Sequence, residues 1–163
     1  TSNGIRRKVA DGFGEITGLA LSSDNWRLYI ADARRRFIYA MSVREDGTLE
    51  NLYRHAPLHI AYDCRTVGAS GICIASCDRL FAATELGIQS VVSFGLMDLI
   101  LPLPGDVPAD AVALCGNLLY ASSGGRVFRR PLQVSERQGL DPAAPNCPGY
   151  SDGFNYSLPH LPQ

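Results

Sequence analysis

Arg27-Leu28-Tyr29-Ile30-Ala31-Asp32 is a short apolar strand that closes on a polar residue, and the chain returns to it twice, as Arg79-Leu80-Phe81-Ala82-Ala83-Thr84 and as Asn117-Leu118-Leu119-Tyr120-Ala121-Ser122. The copies recur at intervals of about forty to fifty residues, the period of an architecture built from one repeated supersecondary unit. Around the first copy the apolar runs Ile16–Leu21, Arg27–Ala31, Phe37–Val43 and Leu49–Tyr53 are separated by Ser22-Ser23-Asp24-Asn25, Ala33–Arg36 and Glu45-Asp46-Gly47. Short β-rich runs broken by turn residues predict antiparallel strands. Four such strands in about forty residues make one blade of a β-propeller. Gly71–Ala75, Arg79–Ala83, Ile88–Val92 and Leu99–Leu103 form a second set. A third begins near Ala109, with Leu118–Ala121 and Arg126–Arg130 as its clearest members. The expected fold is therefore all-β, a partial propeller of about three four-stranded blades over residues 1–137. Residues 138–163, rich in Pro and Gly and without period, are expected to form an extended tail that Tyr150, Phe154 and Tyr156 pin to a surface. Asn155-Tyr156-Ser157 within that tail is a glycosylation sequon.

Composition sets the function classes. The 163 residues are 46% hydrophobic and 19% charged, a globular balance, and the net charge is -1. Such neutrality supplies no footprint for nucleic acid. The most apolar stretch, Val91 to Pro104, is interrupted by Asp98 and ends in prolines, so no membrane span is expected. Arg34-Arg35-Arg36 falls in a hairpin turn where exposed charge is the ordinary outcome, and an acidic protein could meet it. The cysteines Cys64, Cys73, Cys77, Cys115 and Cys147 are odd in number and irregular in spacing, which argues against a disulfide scaffold. Cys73 and Cys77 stand four apart with no histidine nearby, which is not a zinc spacing. Free thiols are the simpler reading; one disulfide stays open, and with it the compartment.

Longer segments resemble a known family. Ile16-Thr17-Gly18-Leu19-Ala20-Leu21-Ser22-Ser23-Asp24 followed by Leu28-Tyr29-Ile30-Ala31-Asp32 resembles the "NGLALSPD…LYVAD" segment of the SMP-30/gluconolactonase/LRE family. Gly68-Ala69-Ser70-Gly71, then Arg79-Leu80-Phe81-Ala82-Ala83-Thr84-Glu85-Leu86-Gly87-Ile88-Gln89, resembles its "GADG…LYVAT…GIQV" segment. Leu101-Pro102-Leu103-Pro104 and Val127-Phe128-Arg129-Arg130 resemble its "IPLP" and "VYRRK" segments, so the likeness runs in order over residues 12–135. It implies the C-terminal half of a six-bladed propeller that holds a divalent cation, often calcium or zinc, at its axis and hydrolyses sugar lactones or related esters.

The resemblance also locates the site residues. Two of the family's four ligand positions lie in the half that this chain does not span. The other two, the Asn of "NG" and the Asp of "DG", correspond to Thr17 and Ser70, each followed by its glycine, Gly18 and Gly71. The Asp is also the family's usual proton-transfer residue. A hard dication draws much of its binding from carboxylate charge, and neutral hydroxyls are weak substitutes. Neither hydroxyl has a histidine or lysine beside it in sequence to make it a base or nucleophile. No catalytic residue, metal ligand or bound cofactor is therefore assigned, and loss of the hydrolysis is expected. Asp63 reads as a solvated loop residue rather than a displaced ligand. Asp110 opens the third repeat's inner strand near where Thr17 and Ser70 open theirs, but one carboxylate is not a metal site. The glycines around Ser70 imitate a nucleophile elbow, which needs a helix after the strand; none follows.

A propeller removes its edges by closing into a ring. Three blades leave two apolar inter-blade faces open, which marks an interface. A second copy or another protein is expected to complete the ring. Two functions follow: a degenerate, non-catalytic module serving as a structural or protein-binding component of a larger assembly, or part of a metal-dependent lactone hydrolase completed by further blades.

Overall fold

The computed structural model describes residues 6–132, and within them lie eleven strands and no helix. The first blade is β1 (Ile16–Leu21), β2 (Arg27–Asp32), β3 (Phe37–Val43) and β4 (Leu49–Pro57), paired in that order. The second is β5 (Gly71–Ile74), β6 (Leu80–Thr84), β7 (Gly87–Val91) and β8 (Met97–Leu101). The third contributes β9 (Ala111–Cys115), β10 (Leu118–Ser123) and β11 (Arg126–Pro131), three strands among the described residues where four were expected. The predicted tail, its aromatic anchors and the Asn155 sequon lie outside the described residues.

The main departures from the predicted strand limits have local causes. β8 ends at Leu101 rather than Leu103 because Pro102 and Pro104 have no amide hydrogen to give the ladder. β4 runs four residues past Tyr53, since two irregularities in its pairing with β3 let Ala56 pair with Ile38 despite the polar Arg54 and His55.

The core lies between blades, not within them. Tyr29, Ala31, Ile38 and Ala40 of the first blade pack on Ile72, Leu80, Ala82 and Val91 of the second. Phe81, Ala83, Ile88 and Leu101 of the second pack on Leu119 and Ala121 of the third. Strand alternation explains this: successive side chains leave opposite faces of each sheet, so every blade needs an apolar neighbour on both sides. Among the described residues no blade packs against the outward side of the first. Its outward rows Leu19-Ile30-Tyr39 and Leu21-Leu28-Met41, joined across the ladders, leave Leu19 57% and Leu21 46% exposed. Phe13 partly covers this face, edge-on to Tyr39 at 6.0 Å.

Cys77 departs from the free-thiol reading. It is disulfide-bonded, while Cys64, Cys73 and Cys115 are free. Burial pushes the Cys73 thiol up to about 12, so it behaves as a small hydrophobe.

Candidate functional site

The innermost strands β1, β5 and β9 stand side by side, and the ladder register makes Gly18 of β1 equivalent to the first residues of β5 and β9. Gly18 pairs with Ala31, Gly71 with Ala83, and Ala111 with Ser122. The residues immediately before them, Thr17, Ser70 and Asp110, therefore occupy one position in three successive blades. This equivalence was half hidden in the sequence, because the third blade carries Ala111 where the others carry glycine. The glycine of the first blade has a steric reason: a Cβ at Gly18 would lie 2.8 Å from the Ile72 backbone nitrogen.

The three side chains are already engaged, or neutral. The half-buried Thr17 hydroxyl donates to the Ala69 carbonyl across the blade boundary. Ser70 is half-buried, and its amide donates to the Ala83 carbonyl at 2.8 Å. Asp110 is exposed, and its Oδ2 accepts the Gly124 amide at 2.8 Å, closing the β10–β11 hairpin. This set does not fit a hard dication. It offers one carboxylate, bound to its own blade, and two neutral hydroxyls. Among the described residues no group of three or more His, Cys, Asp or Glu side chains comes together as a metal cage. Among the described residues no histidine supplies a base there either. His55 is on β4, the outermost strand, and His59 lies in the loop between blades, where its backbone is tied up by Gln89.

Other acidic and amide groups hold the loops around this end of the propeller. Asp32 is fully buried. Its Oδ2 accepts the Gly14 amide at 2.7 Å, and its Oδ1 accepts those of Arg34 at 2.9 Å and Glu15 at 3.0 Å. Burial works against its ionised form, but the amides of Gly14, Arg34 and Glu15, with Arg35 beside them, outweigh it and hold the carboxyl below its usual value. Glu85 accepts the amides of Arg65 and Thr66, fixing the loop that carries Asp63, itself exposed. A Cβ at Gly68 in that loop would lie 1.9 Å from the Asp32 carbonyl oxygen, so only glycine lets the loop close on the first blade. Sequence reading passed over Asp32, Glu85 and Gln89. Asp32 and Glu85 stand at or just past the end of the repeated strand motif, which was the available signal, whereas Gln89 sits in the middle of β7. The arginine run is also partly spent: Arg35 lies 3.4 Å from Asp32 and Arg34 lies 3.4 Å from Glu15.

With that geometry the chain can be placed among known folds. No protein-family model and no curated sequence matches it. Solved structures do. A gluconolactonase from Xanthomonas campestris superposes with a TM-score of 0.66 at 22% identity, over 77% of this chain and 40% of that one. A luciferin-regenerating enzyme superposes with a TM-score of 0.59 at 18% identity, over 68% of this chain and 38% of that one. The chain has the fold of the SMP-30/gluconolactonase/LRE-type β-propellers, as the motifs led one to expect. It spans about 40% of the length of these structural neighbours. Among the described residues no helix is long and apolar enough to cross a membrane.

Proposed function

We propose that the chain is a three-blade portion of a propeller whose axial end no longer carries out metal-dependent lactone hydrolysis, and that it serves as a structural or protein-binding part of a larger assembly. The observation that carries this reading is the set of three equivalent positions, Thr17, Ser70 and Asp110. Two of these side chains are spent on backbone hydrogen bonds. A cation placed there would have to displace both bonds while gaining only one negative charge from this chain. The apolar rows on the open face of the first blade support the second half of the proposal, since exposed Leu19 and Leu21 need a covering partner. Further blades, in a second copy or in another chain, fit that face.

A second reading is favoured by one observation. The inner-strand glycine Gly18 keeps the close spacing of β1 on β5, so blades elsewhere could bring the missing ligands of a gluconolactonase-like hydrolase. Calorimetric titration with Ca²⁺ and Zn²⁺, alongside a lactone-opening assay on the assembled protein, separates the two. No cation-dependent heat and no turnover is the expected result, with binding gained in the T17N/S70D double variant. Metal-dependent lactone opening by the unmodified assembly would end the non-catalytic reading.

A further inference from the structure

The two open faces of the chain are the two halves of one kind of seam. Across its ladders the first blade sets Ala20, Tyr29 and Ala40 in one row, the second sets Cys73, Phe81 and Ser90, and the third sets Ala113, Tyr120 and Arg129. In the first two blades this row faces the blade that follows. Tyr29 packs in the cluster with Ile72 and Leu80, and Phe81 in the cluster with Leu119 and Ala121. Tyr120 keeps an aromatic ring at the same position, with no following blade among the described residues. One row along, Val127 pairs with Ser122 as Ile88 pairs with Ala83. Ile88 is 1% exposed in its seam with the third blade, whereas Val127 is 75% exposed.

The first blade carries the other half. Its row Leu19-Ile30-Tyr39 is in register with Ile72-Ala82-Gln89 and Val112-Ala121-Phe128, whose Ile72, Ala82 and Ala121 pack on the blade before them. Leu19 is exposed where Ile72 is buried. The surface that fits the first blade's open face is therefore one of the third blade's kind, and this chain presents it. Arg129 is the departure, standing where Ala40 and Ser90 stand. An arginine stem lies on apolar surface while its head stays in water, so Arg129 does not bar the contact.

We propose that the partner is a second copy of this chain, the third blade of each copy packing on the first blade of the other to close one ring. The proposal rests on the reading of the open faces given above. Two copies of three blades make six, inside the range of about four to eight over which propellers close. The two-fold pair is the commonest symmetric assembly. Here it forms both seams together, because once one has formed the other is an intramolecular contact at high effective concentration. A partner with one matching face leaves the other open.

Sedimentation velocity of the full chain is expected to show a species of twice the chain mass and nothing larger. Leu19→Glu and Val127→Lys each spoil one half of both seams, and each alone should weaken the pair about tenfold or more. In an equimolar mixture the two variants form a mixed pair with one wild-type seam and one seam that carries opposite charges, so association should return. That recovery also shows that neither variant has lost its fold. A monomeric wild-type chain or a ladder of larger oligomers overturns the second copy. So does a loss in Leu19→Glu that Val127→Lys does not share and the mixture does not repair. None of these results touches the loss of lactone hydrolysis, which metal-dependent turnover by the intact ring would overturn while leaving the pairing in place.

Discussion

The side chain of Gln89 satisfies both backbone groups of His59: its Oε1 accepts the His59 amide at 2.8 Å and its Nε2 donates to the His59 carbonyl at 2.7 Å. Gln89 is completely buried on β7 and also donates to the Thr84 hydroxyl at 3.0 Å. One amide thus ties the loop entering the second blade to the blade's own third strand. An amide can do this because it carries a donor and an acceptor on one plane.

Replacing Gln89 by Leu removes all three bonds and leaves the His59 N–H and C=O without their Gln89 partner. A loss of about 2–6 kcal/mol is expected, from roughly 1–3 kcal/mol for each polar group left unsatisfied. Urea unfolding monitored by Trp26 fluorescence measures it. Gln89→Glu keeps the acceptor and sets a carboxylate against the His59 carbonyl, so its deficit should shrink as the pH is lowered and the carboxyl protonates. A deficit that does not change with pH would contradict the geometry.

The two motif glycines should behave differently. A Cβ at Gly18 would lie 2.8 Å from the Ile72 nitrogen and 3.3 Å from the Gly71 Cα, both backbone atoms that cannot turn aside. At Gly71 the nearest atom is the Ala111 Cα at 3.7 Å, an ordinary contact. Gly18→Ala is expected to cost about 1–3 kcal/mol, whereas Gly71→Ala should stay within about 1 kcal/mol. Thermal denaturation of the two variants side by side gives the comparison, and equal losses would count against close packing of β1 on β5.

His55 makes the packing of the first two blades sensitive to acid. Its ring lies 4.9 Å from that of Tyr29, with Nε2 buried and unbonded. Burial, and then the nearby charge of Arg27, push its pKa below the ordinary histidine value of 6.5. The neutral ring is therefore the native form. The unfolded chain takes up the proton first, so stability is complete above about pH 6.5 and is lost as the pH falls from there through the lowered folded value. His55→Phe should flatten that part of the pH–stability curve, as read by urea midpoints between pH 7 and pH 5. The same slope in both proteins would assign the effect elsewhere.

The exposed rows of the first blade should govern association. Leu19→Glu with Leu21→Glu places two charges on a face that an adjoining blade would otherwise cover. Charge without a partner in such an interface is strongly unfavourable. Sedimentation velocity should show the wild-type chain associating and the double variant at least about tenfold weaker, with the far-ultraviolet spectrum unchanged. Undiminished association would remove this face from the interface.

The amino-acid sequence by itself determined the architecture: the repeated strand motif, its polar turns and the alternation of its apolar residues specify a run of blades, because strand period and turn chemistry are local properties of the chain. It also brought Thr17 and Ser70 into view through the glycines that follow them. Only the tertiary structure decided what those positions do. That Thr17 spends its hydroxyl on Ala69 depends on two blades packing together, and that Asp110 shares the register of those positions and spends its carboxylate on Gly124 depends on how the strands of the third blade pair. The burial of Asp32 and Gln89 under backbone amides and carbonyls was equally out of reach. A side chain's partners are fixed by which backbone groups the fold leaves unpaired nearby, and that is settled only when the blades pack.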